Sequence, residues 1–382
     1  MQPQSLPTLR VCYFGTYEQE YPRNRMFING LRMNGASVSE CHEPFWETFE
    51  QKDAEFGFSF STIIQFIKCQ FKLAWKYVSR TPDHDVVIVG FIGQPDMFLA
   101  KFLTWLTGRK LVFNPLVSIY DTVVGDRKFV SKTSAKANVF RWLDKIACQL
   151  ADLIFLDTQA HIEYFSEEFG IQREKFERVW VGADEHVFKP VNSKQNNPDP
   201  FKILFVGKFI PLHGLPRIVE TAKLLESSAD IRFTLIGKGQ LREAIERQIA
   251  EKGIKNIQII DWVPYQELMQ VMSEADLILG IFGESEKAKR VIPNKVYQGL
   301  AVGKPVLTMD SHAGRELLVH EHTAFLVKNH PAELADKIRQ LKKQRDMCDA
   351  VGRAGYDLFK EKLNTRVIGK DVLRAMQARV LI

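Results

Sequence analysis

The chain is short of the features that build secreted, metal-clipped or membrane-spanning proteins. Its five cysteines, Cys12, Cys41, Cys69, Cys148 and Cys348, are scattered, odd in number and never spaced C-x-x-C. That excludes a disulfide framework and a thiolate zinc site, and the expected setting is the reducing cytoplasm. No window approaches the roughly 18 uninterrupted apolar residues that a spanning helix needs. The opening run M-Q-P-Q-S-L-P-T-L-R lacks the apolar stretch of a secretory leader, so none is expected. Internal repeats and low-complexity tracts are absent too. Acidic excess is missing: 52 Lys and Arg stand against 46 Asp and Glu, a net charge of +6. So small an excess serves solubility or draws anionic ligands and lipid headgroups, and both readings stay open.

What is there is a globular chain large enough for two cores. At 382 residues it exceeds the size at which single cores stop growing. Short β-branched runs alternate with helical patterns throughout, the signature of parallel α/β sheets. Strands are expected at 9–15, 36–42, 85–91, 110–116, 153–157 and 176–181, then at 201–206, 231–236, 257–261, 277–282, 305–309 and 323–327. Helices of the first half are expected at 23–33, 61–80, 94–106, 133–150 and 160–169. The polar, Asn- and Pro-rich stretch K-P-V-N-S-K-Q-N-N-P-D-P at 189–200 has no periodicity and reads as a linker. The expectation is therefore a first domain at 1–188, a second at 201–360, and a final helix at 361–382.

Two segments of the second half carry chemistry. At 201–225 an apolar run ends at Gly207, and a loop with Lys208, His213 and Gly214 leads into a helix. A glycine at a strand end lets backbone approach a ligand closely. At 290–307 the run R-V-I-P-N-K-V-Y-Q-G-L-A-V-G-K-P-V-L sets Asn294 as an N-cap, with Lys295 in the first turn and Gln298 one turn along. A helix start offers free N–H groups and partial positive charge, which suits a diphosphate. A third strand ends in Gly237-Lys238-Gly239, and D-W-V-P-Y around Val263 marks another turn.

This order of motifs resembles the donor-binding half of nucleotide-sugar glycosyltransferases of group 1, with the two-domain GT-B fold. The resemblance is strong over about residues 201–327 and weaker over the first 190. It implies two Rossmann-like domains facing a cleft, with the last helix crossing back to the first. It implies a metal-independent, retaining transfer of sugar from a nucleotide donor, UDP- or GDP-linked, to a saccharide or lipid-linked acceptor, with no cofactor and no nucleic-acid partner. Lys208 and Lys295 would steady the leaving diphosphate. Gly15, Gly207, His213, Gly214, Gly237, Gly239, Val263, Glu284, Asn294 and Gln298 would line the donor. Many relatives carry two Glu residues eight positions apart, where this chain has Arg290 and Gln298. That departure keeps two alternatives open: a catalytically silent binding protein or partner subunit, and a GT-B-like epimerase.

In the first half, Arg23 and Arg25 follow the strand that ends at Gly15, and Tyr120 and Asp121 follow another strand. In similar transferases the loop after Gly15 lines the cleft facing the donor, where Arg23 and Arg25 could bind a phosphate on either substrate; they and Tyr120 are expected on the acceptor side, and Asp121, at the carboxyl end of a strand where open α/β sheets bind ligands, could orient an acceptor hydroxyl. The alternatives are a solvated helix start and an ordinary turn. Asp83-His84-Asp85 matches the D-x-D metal motif of the other glycosyltransferase fold, yet sits at a loop-to-strand boundary. His320-x-His322 has no third ligand nearby. On the helix at 61–80, Lys68, Lys72, Lys76 and Arg80 recur every fourth residue, and Ile63, Ile64, Ile67, Phe71, Ala74, Trp75 and Val78 supply an apolar face. That pattern suits either a surface helix with a solvated Lys face or peripheral contact with the inner face of an anionic membrane through Lys68, Lys72 and Lys76.

Overall fold

The computed structural model describes residues 8–46, 60–191 and 200–380. Most of the expected linker, 192–199, and part of the aromatic-rich stretch, 47–59, lie outside them. The chain forms two compact units. The first comprises Met1–Val124, Phe129–Val181 and Thr365–Ile382; the second comprises Gly125–Lys128 and Gly182–Asn364.

The first unit is built on β1 (Arg10–Gly15), β2 (Ser37–His42), β3 (Val86–Val89), β4 (Lys110–Phe113), β5 (Leu153–Leu156) and β6 (Phe176–Arg178). They form one parallel sheet ordered β2-β1-β3-β4-β5-β6. Connecting them are α1 (Pro22–Met33), α2 (Phe60–Ser79), α3 (Asp96–Thr107), α4 (Ala135–Leu150) and α5 (Gln159–Phe169). The runs V-V-I-V in β3 and L-I-F-L in β5 are buried at every position, as a strand covered on both faces must be. On one face, Phe14, Val87, Val89, Phe113 and Leu156 form a core with Leu73 and Tyr77 of α2, Met97 and Leu103 of α3, and Ala147 of α4.

Several strands end earlier than the sequence suggests, and two of the stops have a visible cause. The run expected to reach 116 stops at Phe113, since Pro115 has no N–H to donate and Leu116 takes φ +58°. The run expected to reach 181 stops at Arg178, because the carbonyls of Val179 and Trp180 accept hydrogen bonds from Arg23. The apolar face of α2 also corrects the sequence reading. Cys69, Leu73 and Tyr77 turn to the core, whereas Ile63, Ile64, Ile67, Phe71, Trp75 and Val78 are exposed.

The second unit repeats the plan with β7 (Phe201–Val206), β8 (Ile231–Ile236), β9 (Ile257–Ile260), β10 (Leu277–Leu279), β11 (Val306–Met309) and β12 (Phe325–Val327). This parallel sheet is ordered β12-β11-β10-β7-β8-β9. Its helices are α6 (Leu215–Leu224), α7 (Arg242–Glu251), α8 (Tyr265–Ser273), the short α9 (Glu286–Arg290), α10 (Asn294–Ala301), the short α11 (His312–Arg315), α12 (Pro331–Lys343) and α13 (Arg345–Lys362). Strand order reverses about β7, which lies between β10 and β8. The carboxyl ends of β7 and β10 therefore flank a topological switch point, where open α/β sheets bind ligands.

The last helix, α14 (Thr365–Arg379), belongs to the first unit and packs along α1. The crossing depends on two glycines. A Cβ on Gly369 would overlap the Gly30 backbone, and one on Gly30 would stand 2.8 Å from the Gly369 Cα. Arg379 pins the far end, pairing with Glu177 at 2.9 Å and donating to the Glu174 carbonyl at 2.7 Å. Gly369→Val should therefore destabilise the first unit by about 1–3 kcal/mol, the usual cost of overpacking. Thermal unfolding checks this against Lys370→Ala on the exposed side of α14, which should melt like the parent.

Candidate functional site

Three loops meet at the carboxyl ends of β7, β8 and β10. The loop after β7 starts at Gly207, with φ +147°, and continues through an exposed Lys208 and a buried Phe209. Phe209 N–H donates to the Lys238 carbonyl at 2.7 Å, and Leu241 N–H donates to the Phe209 carbonyl at 2.9 Å. Those bonds hold the loop against Gly237 and Gly239, whose Cα positions abut Gly207 and Phe209. Gly214 touches Phe282 and Gly283 after β10, and Phe282 N–H donates to the His213 carbonyl at 3.1 Å.

Lys295 enters this junction from α10. Val291-Ile292-Pro293 carries the chain up to the helix, and Pro293, not Asn294, occupies the cap position. Asn294 is the first helical residue and makes no capping bond, which corrects the expected N-cap. Proline at the cap presets the turn, but the sequence rule favours the side chain that can accept. Lys295 is buried, and its Nζ has no hydrogen-bond partner among the described residues. It stands 4.3 Å from the centroid of the Phe205 ring. The place that a Cβ on Gly207 would fill lies 3.0 Å from Lys295 Nζ and 3.2 Å from His213 Cε1. Glycine thus leaves an opening onto which a lysine and a histidine converge.

The electrostatics of this junction follow from burial. Desolvation alone pulls the Lys295 ammonium well below its ordinary range, and no carboxylate opposes it. His213 is likewise drawn well down, by burial first and then by Lys295, with Arg127 and Lys208 adding to the effect. Its Nδ1 lies 2.5 Å from the Lys208 carbonyl, which can only accept. The proton therefore sits on Nδ1 and Nε2 is bare, so His213 is a neutral brace for the loop rather than a second cation. Gln298, one turn beyond Lys295, is buried on the same helix.

Arg127 was not legible as a site residue. It comes from Gly125–Lys128, which belongs to the second unit. Gln240 donates to its carbonyl at 3.0 Å, and the Ser285 hydroxyl donates to the neighbouring Asp126 at 3.0 Å. In sequence, G-D-R is an ordinary turn; only tertiary placement makes it part of this basic junction. Glu284, expected near the sugar, is exposed and ion-paired with Arg217. Val263 is half-buried in the turn between β9 and α8.

The remaining expected residues lie in the first unit. Gly15, at φ +129°, closes over the buried Asp96 carboxylate, which accepts from the Thr16 N–H at 2.7 Å and hydroxyl at 2.9 Å. Burial pushes Asp96 up to about 6. Arg23 is a correction: it is fully buried, bonded to Asn114 Oδ1 at 2.9 Å and to the Val179 and Trp180 carbonyls, and so holds the unit together rather than meeting an acceptor. Arg25 pairs with Glu20 at 3.0 Å. Tyr120 is half-buried, and Asp121 is buried at the start of a single wide turn, Asp121–Asp126. Asp144, unnoticed in the sequence, positions both: it accepts from Ser118 Oγ, Ile119 N and Tyr120 N, and burial raises it to about 6. Asp83 and Asp85 are held by Arg10, and Asp83 also by Arg109, so their charges are already matched.

The fold and this junction define a two-Rossmann, GT-B type of protein with a basic site at the switch point of its second sheet. Residues 189–358 match the family model described as glycosyl transferases group 1. Those residues, somewhat under half of the chain, carry its likeness to group 1 glycosyltransferases. Solved structures share the fold across nearly the whole chain. Anabaena Alr3699/HepE, in complex with UDP and glucose, has a TM-score of 0.72 at 14% identity, covering 97% of this chain and 100% of that one. Sucrose-phosphate synthase from Thermosynechococcus elongatus has 0.72 at 13%, covering 97% and 98%. A glycosyltransferase from Rickettsia africae has 0.68 at 14%, covering 98% and 99%. No curated protein sequence matches the chain.

An unpartnered buried lysine has a stability cost with a definite sign. Its folded pKa lies below its unfolded value, so the cost is full below the folded pKa and disappears as pH rises to the unfolded value, about 10.4. Lys295→Met, which keeps the stem volume, should stabilise the ligand-free protein at pH 7 by about 1–3 kcal/mol. Denaturant unfolding at pH 7 and near pH 10 checks this; the gain should shrink at the higher pH.

Proposed function

We propose that the chain transfers a sugar from a nucleoside-diphosphate donor to a saccharide or lipid-linked acceptor, with retention and without a metal. The observation that carries this reading is the partnerless Lys295 ammonium converging with His213 on the Gly207 opening. A diphosphate there supplies the anion that the lysine lacks, and binding should draw a proton onto Lys295. As the bond from anomeric carbon to diphosphate oxygen breaks, negative charge grows on the leaving group. A fixed ammonium in a dry site stabilises it without reorganising water. Lys208, exposed on the same loop, adds a second charge, and the α10 N-terminus adds partial charge. The new bond forms to an acceptor hydroxyl, whose proton passes to the departing diphosphate oxygen. Asp121 is our candidate for orienting that hydroxyl, and Gln298 for bonding the ribose.

The complexes of Anabaena Alr3699/HepE with UDP and glucose, and with UDP-glucose, support a UDP-sugar as donor. One observation favours a second reading. Gln298 and Arg290 stand where many relatives carry Glu, which suits a silent fold that binds nucleotide without turnover. Calorimetry with UDP and GDP separates the cases. On the transferase reading, Lys295→Ala and Lys208→Ala each weaken diphosphate binding by about 1.5–3 kcal/mol, and proton uptake on binding disappears with Lys295→Ala. Gln298→Ala raises the donor KM with little change in kcat, as expected for a contact made equally in ground and transition states. Wild-type affinity in all three variants removes the site. Turnover should survive EDTA; its loss on chelation and return with Mn²⁺ would overturn the metal-free step.

A lipid-linked acceptor also fits peripheral membrane contact. Lys76 is bonded to Glu43 at 2.5 Å and to the His42 carbonyl, and Lys72 lies 3.8 Å from Glu43. The contact proposed for the stripe therefore falls mainly to Lys68.

A further inference from the structure

Helix α2 has a second apolar stripe that its core contacts do not explain. Cys69, Leu73 and Tyr77 satisfy the core. Opposite them Ile63, Ile67, Phe71, Trp75 and Val78 face outward, Phe71 at 74% and Val78 at 78% exposure. A helix apolar on both sides is ordinarily covered on both. The neighbouring helix shows the same pattern: Met97, Ala100 and Leu103 of α3 are buried, while Phe98, Phe102, Trp105 and Leu106 are exposed, Trp105 at 72%. The surface continues onto α4, where Trp142 stacks on Phe98 with ring centroids 5.9 Å apart, and Val139 is exposed beside it. All three helices cover the same core on the same face of the first sheet.

The charges of these helices select the occupant. Their only acidic residues, Asp96 and Asp144, are both buried. Against them stand Lys68 on α2, Lys101 on α3, and Lys136 and Lys145 on α4, while Lys72 and Lys76 pair with Glu43 and Arg141 with Glu168. Arg80, just past α2, lies 4.5 Å from the Trp75 ring centroid. Large aromatic and branched side chains set among cations, with no exposed carboxylate, match an anionic bilayer surface. Rings sit at headgroup depth there, and long basic side chains reach lipid phosphates. A protein partner would call for exposed acid groups to answer its own cations, and these helices offer none.

We propose that the outer face of α2, α3 and α4 is an interfacial membrane-binding surface that seats Phe71, Trp75, Phe102 and Trp105 at the boundary between lipid headgroups and acyl chains. This deepens the lipid-acceptor reading above, but the surface is defined without the donor site. It also differs from contact through the lysine stripe alone, because apolar insertion resists salt whereas surface charge pairing does not.

The test uses the full chain, without donor, and vesicles of phosphatidylcholine with and without phosphatidylglycerol. Binding is expected to the anionic vesicles, with a fraction retained at about 0.5 M salt. Brominated acyl chains should quench the tryptophan fluorescence. Phe71→Ser with Trp105→Ser should lower the vesicle partition coefficient by roughly tenfold or more, since each buried aromatic side chain is worth about that factor. The thermal unfolding midpoint of the double variant should match the parent, which certifies its fold without reference to the donor site. Absence of vesicle binding overturns the inference. So does binding that vanishes in salt without quenching, which leaves charge pairing alone. A dimer in light scattering that the double variant abolishes, with no vesicle binding, assigns the face to a second copy instead.

Discussion

One buried ammonium without a counter-charge organises the second unit. Lys295 is carried to the switch point of the sheet by α10, and the space into which it projects exists because residue 207 has no side chain. The loops after β7, β8 and β10 are bonded to one another around that space. Stability is given up locally so that a lysine stands ready to take up positive charge when an anion arrives, where it meets the charge that grows on a leaving group. His213, neutral and locked to its own loop, keeps the opening in shape without competing for the same anion.

Much of this was legible from local rules. A strand that ends in Gly, followed by a loop and a helix start, is a short-range pattern, and Gly207, His213, Gly214, Gly237, Gly239, Lys295 and Gln298 fell into adjoining loops and one helix. The family relation of residues 189–358 and the doubly built α/β fold follow from the same order of motifs. What was not legible depends on contacts across long sequence separations. Nothing local says that Arg23 will be swallowed by Asn114 and two carbonyls more than 150 residues away, or that Asp144 will hold the Ser118–Tyr120 turn. Gly15 looked like a ligand glycine and serves a buried carboxylate instead.

Helix α2 shows a different limit. Periodicity reveals that a helix has an apolar stripe, but not which stripe the sheet takes when two are present. The larger side chains, Phe71 and Trp75, suggested the core; the sheet took the compact set of Cys69, Leu73 and Tyr77. The heavier stripe, continued by α3 and α4, is then available for work outside the protein.

The return of α14 to the first unit has a consequence for synthesis. The second unit is complete once residue 364 has been made, while the first still lacks Thr365–Ile382. During translation the half that begins the chain is therefore the last to finish, and until then α1 waits with the groove around Gly30 unfilled. The second unit has thus already had time to fold when α14 emerges, and the first closes only with that helix.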